Sequence, residues 1–316
     1  MPAAALALTP LSWREHAAEQ DGVVGRRQAR LGGLSEDAWQ WRLHTGRWQS
    51  VLPGVAVTHS GQVTACQQAW AAVVYAGAGA ALSADAALIA QGMTLSSPTV
   101  LHLAIPTRRR VVAQAFPSAV RESAVRVVPH RVAGLTTLVH PARTPPVLRL
   151  APAVLHAAAW APTDRAGEWR VAAAVQQRLV RPADLRSALT RMTRLPRRAL
   201  IATVLDDVEL GAHAASELDF LRLLRRHRLP PPDRLQRPMR SGKQRYLDGW
   251  WERQRVVAEV DGSHHRSVGS WDEDTLRANE VMLAERGRGV VLLRFTTGNL
   301  RHDEARVAEL LRAALL

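Results

Sequence analysis

The chain has 316 residues, 47% of them hydrophobic and 22% charged, which is material for two or three packed domains and excludes a fibrous or intrinsically disordered polymer. Its formal net charge of +14 points to a polyanionic partner such as nucleic acid. Every basic residue except Lys243 is arginine and alanine is abundant, so the coding bias of a GC-rich genome contributes to the same charge.

In chain order, Met1–Pro10 lacks the basic start of a signal peptide. No apolar run reaches the roughly 20 residues that span a bilayer, so a cytoplasmic protein with no membrane partner is expected. Residues 1–60 make the first expected domain. Leu11–Gln20 predicts a helix closed by Asp21-Gly22, and Gly25–Leu31 a second that ends at Gly32-Gly33. Ser35 suits the N-cap of a third, Glu36–His44, with Glu36 and Asp37 complementing its dipole. Pro53-Gly54 then joins two β-prone runs, Arg47–Leu52 and Val55–Thr58. Three helices and a wing are the layout of a winged helix-turn-helix. Gln40 and His44 share a face of the third helix, whereas Trp39 and Leu43 point inward. With Arg26, Arg27, Gln28, Arg42 and Arg47, Gln40 and His44 supply the polar side chains that reach phosphates and base edges, although Arg47 also reads as an ordinary surface residue beside a core Trp48.

Residues 61–145 read as an α/β region. Alanine-rich helices over 62–92 break at Gly77-Ala78-Gly79, and Ser83 is placed to cap the second. Cys66, alone of its kind, reads as a small buried residue and excludes an internal disulfide or a cysteine zinc site. Val100–Ile105 and Ala124–Val128 predict strands separated by the basic loop Arg108-Arg109-Arg110. Pro141–Pro146 looks like a linker. Residues 146–212 follow as a helical connector that includes Ala172–Leu179 and Ala183–Met192 and offers surfaces to partners.

The last expected domain, 213–316, has the order α-β-β-α-β-α, which implies a small mixed sheet flanked by helices. Its elements are Ala214–Arg228, Gln244–Trp250, Val256–Asp261, Asp272–Arg286, an apolar buried strand Val290–Thr296, and Asp303–Leu315. Side chains alternate along a strand, so Val257, Glu259 and Asp261 share a face. If the turn centres on Arg253-Gln254, Asp248 pairs directly with Glu259, and opposed carboxylates about 5 Å apart repel unless a divalent cation lies between them. Glu217 shares a helical stripe with Phe220, Leu221 and Leu224. It reads either as a third acid of that cluster or as a first-turn acid behind an N-cap at Ser216.

Two resemblances follow from motifs. Glu259-Val260-Asp261-Gly262 with His264-His265, then Asp274-x-x-Arg277 and Val291-Leu292-Leu293-Arg294-Phe295, resemble the endonuclease-like domains related to very-short-patch mismatch repair nucleases, within the restriction-endonuclease-like PD-(D/E)XK superfold. The likeness covers about 216–315. It implies a Mg²⁺- or Mn²⁺-dependent hydrolase with Glu217, Asp248 and Glu259 as metal ligands. Asp261 stands where many members of the superfold carry lysine, which leaves the general base open. His265 is the candidate for base or water-orienting residue, against an ordinary loop histidine. Arg277 would contact phosphate, although it also suits an ion pair with Asp274. Separately from the likeness, Arg245 closes a basic segment, from Arg222 onward, that suits a phosphate-backbone track or a solvated face.

In the first sixty residues, Val23-Val24-x-x-x-Gln28-Ala29 and Gly46-Arg47-Trp48-x-x-Val51-Leu52-Pro53-Gly54-Val55 resemble the winged-helix domain of AbiEi-type antitoxins. That implies binding to double-stranded DNA, autoregulation, and a toxin-like or regulatory protein partner. The expectation is therefore a multidomain α+β protein with a winged helix-turn-helix, a mostly helical middle and a nuclease-type α/β domain. Its first functional reading is a metal-dependent DNA endonuclease. The second is an antitoxin-like transcriptional regulator with a catalytically silent nuclease-type domain.

Overall fold

The computed structural model describes residues 11–117, 125–209, 215–235, 237–238, 246–247, 249–261, 289–296, 299–300 and 303–316. The protein is mixed α+β and divides into two compact units, Met1–Trp160 and Ala161–Leu316. Among the described residues no helix is long and apolar enough to cross a membrane.

The first unit begins with α1 (Trp13–Glu19), started by a capping box in which the Ser12 N–H donates to Glu15 Oε2 at 2.6 Å and the Glu15 N–H to Ser12 Oγ at 3.3 Å. β1 (Val23–Gly25), α2 (Arg26–Leu31), α3 (Glu36–His44), β2 (Gln49–Leu52) and β3 (Val55–Val57) follow. Ser35 Oγ accepts from the Ala38 N–H, as its sequence position predicts. β3 lies between β1 and β2 and is antiparallel to both, with Val57 opposite Val23 and Val55 opposite Leu52. β1 is not legible in the sequence: three residues cannot show an alternation, and they become a strand because β3 offers a partner. Val24, Ala29, Leu34, Trp39, Trp48 and Ala56 form the core, with Trp13 and Leu43 against it. The Trp48 ring lies 5.3 Å from Trp13 and 5.4 Å from Trp39, so an indole triad fills the space under three short helices.

The same unit continues with α4 (Ala65–Ala76), β4 (Ala81–Leu82), α5 (Ala84–Ile89), β5 (Val100–Pro106), β6 (Gln114–Ala115), β7 (Arg126–Val132), α6 (Leu135–Leu138) and α7 (Leu150–Ala159). The sheet order is β4-β5-β7-β6, with β5 and β7 parallel and both outer pairs antiparallel. Two expectations change here. Ser83 stands at the N-cap of α5 but makes no capping bond, because its hydroxyl is engaged by His156 of α7. Cys66 is exposed rather than buried, since the first turn of α4 turns it outward. The stretch 141–146 is spanned by His140 and Val147, whose N–H and carbonyl bond at 2.8 Å, and the chain then enters α7 within the first unit.

The second unit opens with α8 (Asp164–Gln176), α9 (Pro182–Arg191), α10 (Arg198–Glu209) and α11 (Ala215–Arg226). Then come β8 (Arg237–Pro238), β9 (Tyr246–Leu247), β10 (Gly249–Trp251), β11 (Val256–Asp261), β12 (Val291–Thr296) and α12 (Glu304–Leu315). β11 is the middle strand of the order β10-β11-β12, antiparallel to β10 and parallel to β12. A parallel neighbour requires a crossover, and the segment that makes it, 262–288, lies outside the described residues together with the expected helix 272–286. β12 is less buried than its apolar sequence predicts. Val291 is exposed and Leu292–Arg294 are half-buried, because in the described sheet this strand has β11 on one side only.

α11 buries Leu218, Phe220, Leu221, Leu223 and Leu224. Phe220 lies against Gly249, where a Cβ would meet its ring at 3.2 Å, and edge-on to Trp251 at 6.2 Å. Glycine at 249 is thus what lets the helix come down onto β10.

Candidate active site and nucleic-acid interface

Strand pairing decides which acids face the same way. In the hairpin, Gly249 pairs with Ala258, Trp250 with Val257 and Trp251 with Val256, the register that follows from a turn centred on Arg253-Gln254. Residues directly opposed in a ladder project to the same side. Gly249, Trp251, Val256 and Ala258 therefore face α11 through Phe220, whereas Trp250, Val257 and Glu259 face the other side. On that other side Trp250 and Val257 form a small cluster with Val290 and Leu292.

Glu259 is only 1% exposed. It pairs across the parallel ladder with Arg294, whose Nε lies 3.3 Å from Glu259 Oε2. Asp261 closes β11, and its side chain is outside the described set. Glu217 is 6% exposed in the first turn of α11, on the helix that covers the opposite side of the sheet. Asp248, His264, His265, Arg245 and Arg277 all lie outside the described residues. The described residues by themselves contain no group of three His, Cys, Asp or Glu side chains able to hold a metal ion.

The helical part of the second unit buries further carboxylates against arginine. Glu168 pairs with Arg222 and Asp207 with Arg225, while Asp219 is held by Arg222 at 3.0 Å and Arg165 at 2.7 Å. Much of the basic stretch 222–226 is therefore engaged with acids of its own unit. Arg226 likewise pairs with Glu304 of α12.

In the first unit the polar residues of α2 and α3 divide into engaged and outward-facing groups. Arg26 pairs with Glu36, which also accepts from Gln40 at 2.9 Å. The Gln28 amide oxygen accepts from the Gly25 N–H at 2.9 Å. Arg42 donates to Ala38 O at 2.8 Å and its guanidinium lies 5.3–5.4 Å from the rings of Trp48 and Trp13, covering the indole core. Arg27 and Arg47 are exposed. Arg47 lies 4.7 Å from the ring of Trp41, which is 48% exposed. Trp41 is the residue that sequence reasoning passes over. Its signal is the pair Trp39-x-Trp41, since residues two apart on a helix cannot both face the core.

A second constellation in the first unit has no sequence signal. His102 of β5 and His130 of β7 are hydrogen-bonded, Nδ1 to Nε2, at 2.9 Å. His130 stacks on Trp160 with ring centroids 3.6 Å apart, and His156 stacks on the same indole at 4.2 Å. Ser83 Oγ and His156 Nδ1 lie 2.8 Å apart, both side chains fully enclosed. Burial pushes His156 down to about 3, helped by His130 and then His102. Burial, with His102 nearby, pushes His130 down to about 4. Both rings are therefore neutral at pH 7, and Ser83 is closed to any substrate. The group is a polar core linking sheet and helix.

No protein-family model matches the chain, and no curated protein matches it.

Proposed function

We propose that the chain is a DNA-binding protein whose second unit hydrolyses phosphodiester bonds with Mg²⁺ or Mn²⁺. The observation that carries this reading is Glu259, a carboxylate enclosed in the middle strand of a small mixed sheet. Burying an ion costs several kcal/mol unless it is compensated, so such a group needs a reason to be there. Continuing the Gly249–Ala258 register by one residue would set Asp248 opposite Glu259, two strands that would present adjacent carboxylates. With Asp261 on the same strand, these acids fit the oxygen donor set that magnesium takes. A cation bound there supplies an activated water and neutralises charge developing on phosphate. Glu217 starts from the helix on the other side of the sheet and would join only around the strand end. His265 as base and Arg277 as a phosphate contact rest on the likeness to very-short-patch repair nucleases, and Arg245 as a phosphate contact rests on the basic segment it closes in sequence.

The helices and hairpin of residues 11–60 support a winged helix-turn-helix like that of AbiEi-type antitoxins, presenting Arg27, Trp41 and Arg47 to double-stranded DNA. One observation favours the second reading, an antitoxin-like regulator with a silent nuclease-type domain and a protein partner: Arg294 already compensates Glu259. A carboxylate paired with a guanidinium needs no cation.

Supercoiled plasmid separates the two. The full chain should nick or cut it with Mg²⁺ or Mn²⁺, and Asp248→Ala and Glu259→Gln should each lose about a hundredfold or more while still binding DNA. DNA binding without metal-dependent cutting, or cutting indifferent to both substitutions, sinks the hydrolase and leaves the regulator.

A further inference from the structure

A cleft of about 800 Å³ opens in the first unit, independently of the acids of the second. Its walls are α2, the Pro53-Gly54 turn, the last turns of α4 and the Gly77–Ala80 turn. That size falls within the roughly 300–1,000 Å³ of small-molecule sites. The lining is mainly apolar, with Trp70, Val74 and Tyr75 contributing broad surfaces. Its charged side chains have one sign. Arg26, Arg27 and Arg109 line the cleft, and none of its described lining residues is acidic.

Arg109 is held in the wall by the backbone. Its Nη1 donates to Ala76 O, the last carbonyl of α4, at 3.1 Å. The guanidinium lies against Gly77, where a Cβ would run into its Nη1, and Gly77 takes a left-handed φ of 81°. A guanidinium has five N–H donors, and one bond to a carbonyl leaves most of them to be satisfied from elsewhere. Arg26 is already paired with Glu36, whereas Arg27 is exposed and has no partner among the described residues. Two cationic groups thus line the same cleft as aromatic and aliphatic side chains.

We propose that this cleft binds a small anionic amphiphile: a carboxylate, sulfonate or phosphate on an aromatic or short acyl body. The anion meets Arg27 and Arg109, and the apolar body lies on Trp70 and Val74. Charge complementarity selects this occupant over a neutral or cationic one of the same shape.

Anilinonaphthalene sulfonate, compared with phenylnaphthylamine (the same rings without the sulfonate), tests it on the intact chain by dye emission and energy transfer from tryptophan. The sulfonate should saturate at one dye per chain and bind about tenfold more tightly than the uncharged dye. Arg27→Gln and Arg109→Gln should each narrow that gap and leave phenylnaphthylamine affinity unchanged. Ala78→Trp, on the exposed turn, should weaken both dyes by filling the cleft. Arg109→Gln could loosen the Gly77 turn, but Arg27→Gln touches nothing in the fold and keeps the test decisive. Equal affinity for the two dyes, absence of saturable binding, or binding unchanged in Ala78→Trp overturns the proposal.

Discussion

The two compact units place polar groups in their interiors by opposite means. Among the described residues, the buried polar side chains of Met1–Trp160 are neutral ones, Gln20, Gln67, Gln68, Ser83 and His156. Those of Ala161–Leu316 are carboxylates, Glu168, Asp207, Glu217 and Glu259, and arginines stand against three of them. An amide, hydroxyl or neutral imidazole needs only its hydrogen bonds met. Gln67 does this by capping α4 through Thr64 while donating to Asp21 O at 2.9 Å. A carboxylate must also have its charge met. The first kind of interior answers to pH only through its imidazole, because protonation turns His156 into a buried ion while the amides and the hydroxyl stay neutral. The second answers to loss of a partner, because the ion is already present and one substitution removes the arginine that compensates it.

The largest expected effect lies in the second unit. Arg294→Ala should cost about 3 kcal/mol in urea unfolding, because Glu259 then loses the guanidinium beside it. Arg294→Met combined with Glu259→Gln should recover most of that loss. A single variant as stable as the parent would show that the ion pair is not what holds Glu259.

A smaller effect belongs to the first unit and appears on acidification. An unfolded histidine titrates near 6.5, so between that value and the folded ones the unfolded chain binds more protons. The contribution of burying His130 and His156 neutral is therefore complete above pH 6.5. It is lost as pH falls toward about 4 for His130 and about 3 for His156. Thermal unfolding from pH 7.5 to 4.5 should show a declining Tm, and His156→Gln should decline less steeply. Parallel profiles for parent and variant would contradict neutral burial. Smallest of all is Glu36→Gln, which removes the exposed partner of Arg26. Its Tm should be inseparable from the parent's, and the more so in high salt.

Legibility in the sequence followed the range of the forces involved. α3 and its Ser35 cap, the β2–β3 turn at Pro53-Gly54, and β11 with its pairing to β10 are all readable, because caps, turn dipeptides and alternation act over a few neighbouring residues. β1, β4, β6 and β8, of two or three residues each, are not, since such short strands exist only where a partner strand arrives. The polar faces illustrate the same limit. Arg26, Gln28, Gln40 and Arg42 look alike as solvent-facing side chains in sequence, yet the fold gives each a bond within the unit and leaves Arg27, Trp41 and Arg47 facing outward.

The amino-acid order alone determined the basic balance, the absence of an internal disulfide, most helix boundaries, and the alternation that puts Val257, Glu259 and Asp261 on one side of a strand. Those properties depend on composition and on a backbone period of two or 3.6 residues. Tertiary structure alone decided that Arg294 would meet Glu259, that α11 would cover the other side of that sheet, and that three histidines and Ser83 would gather around Trp160. Apart from His156 on Trp160, these contacts join residues tens of positions apart, and only the folded chain brings them together.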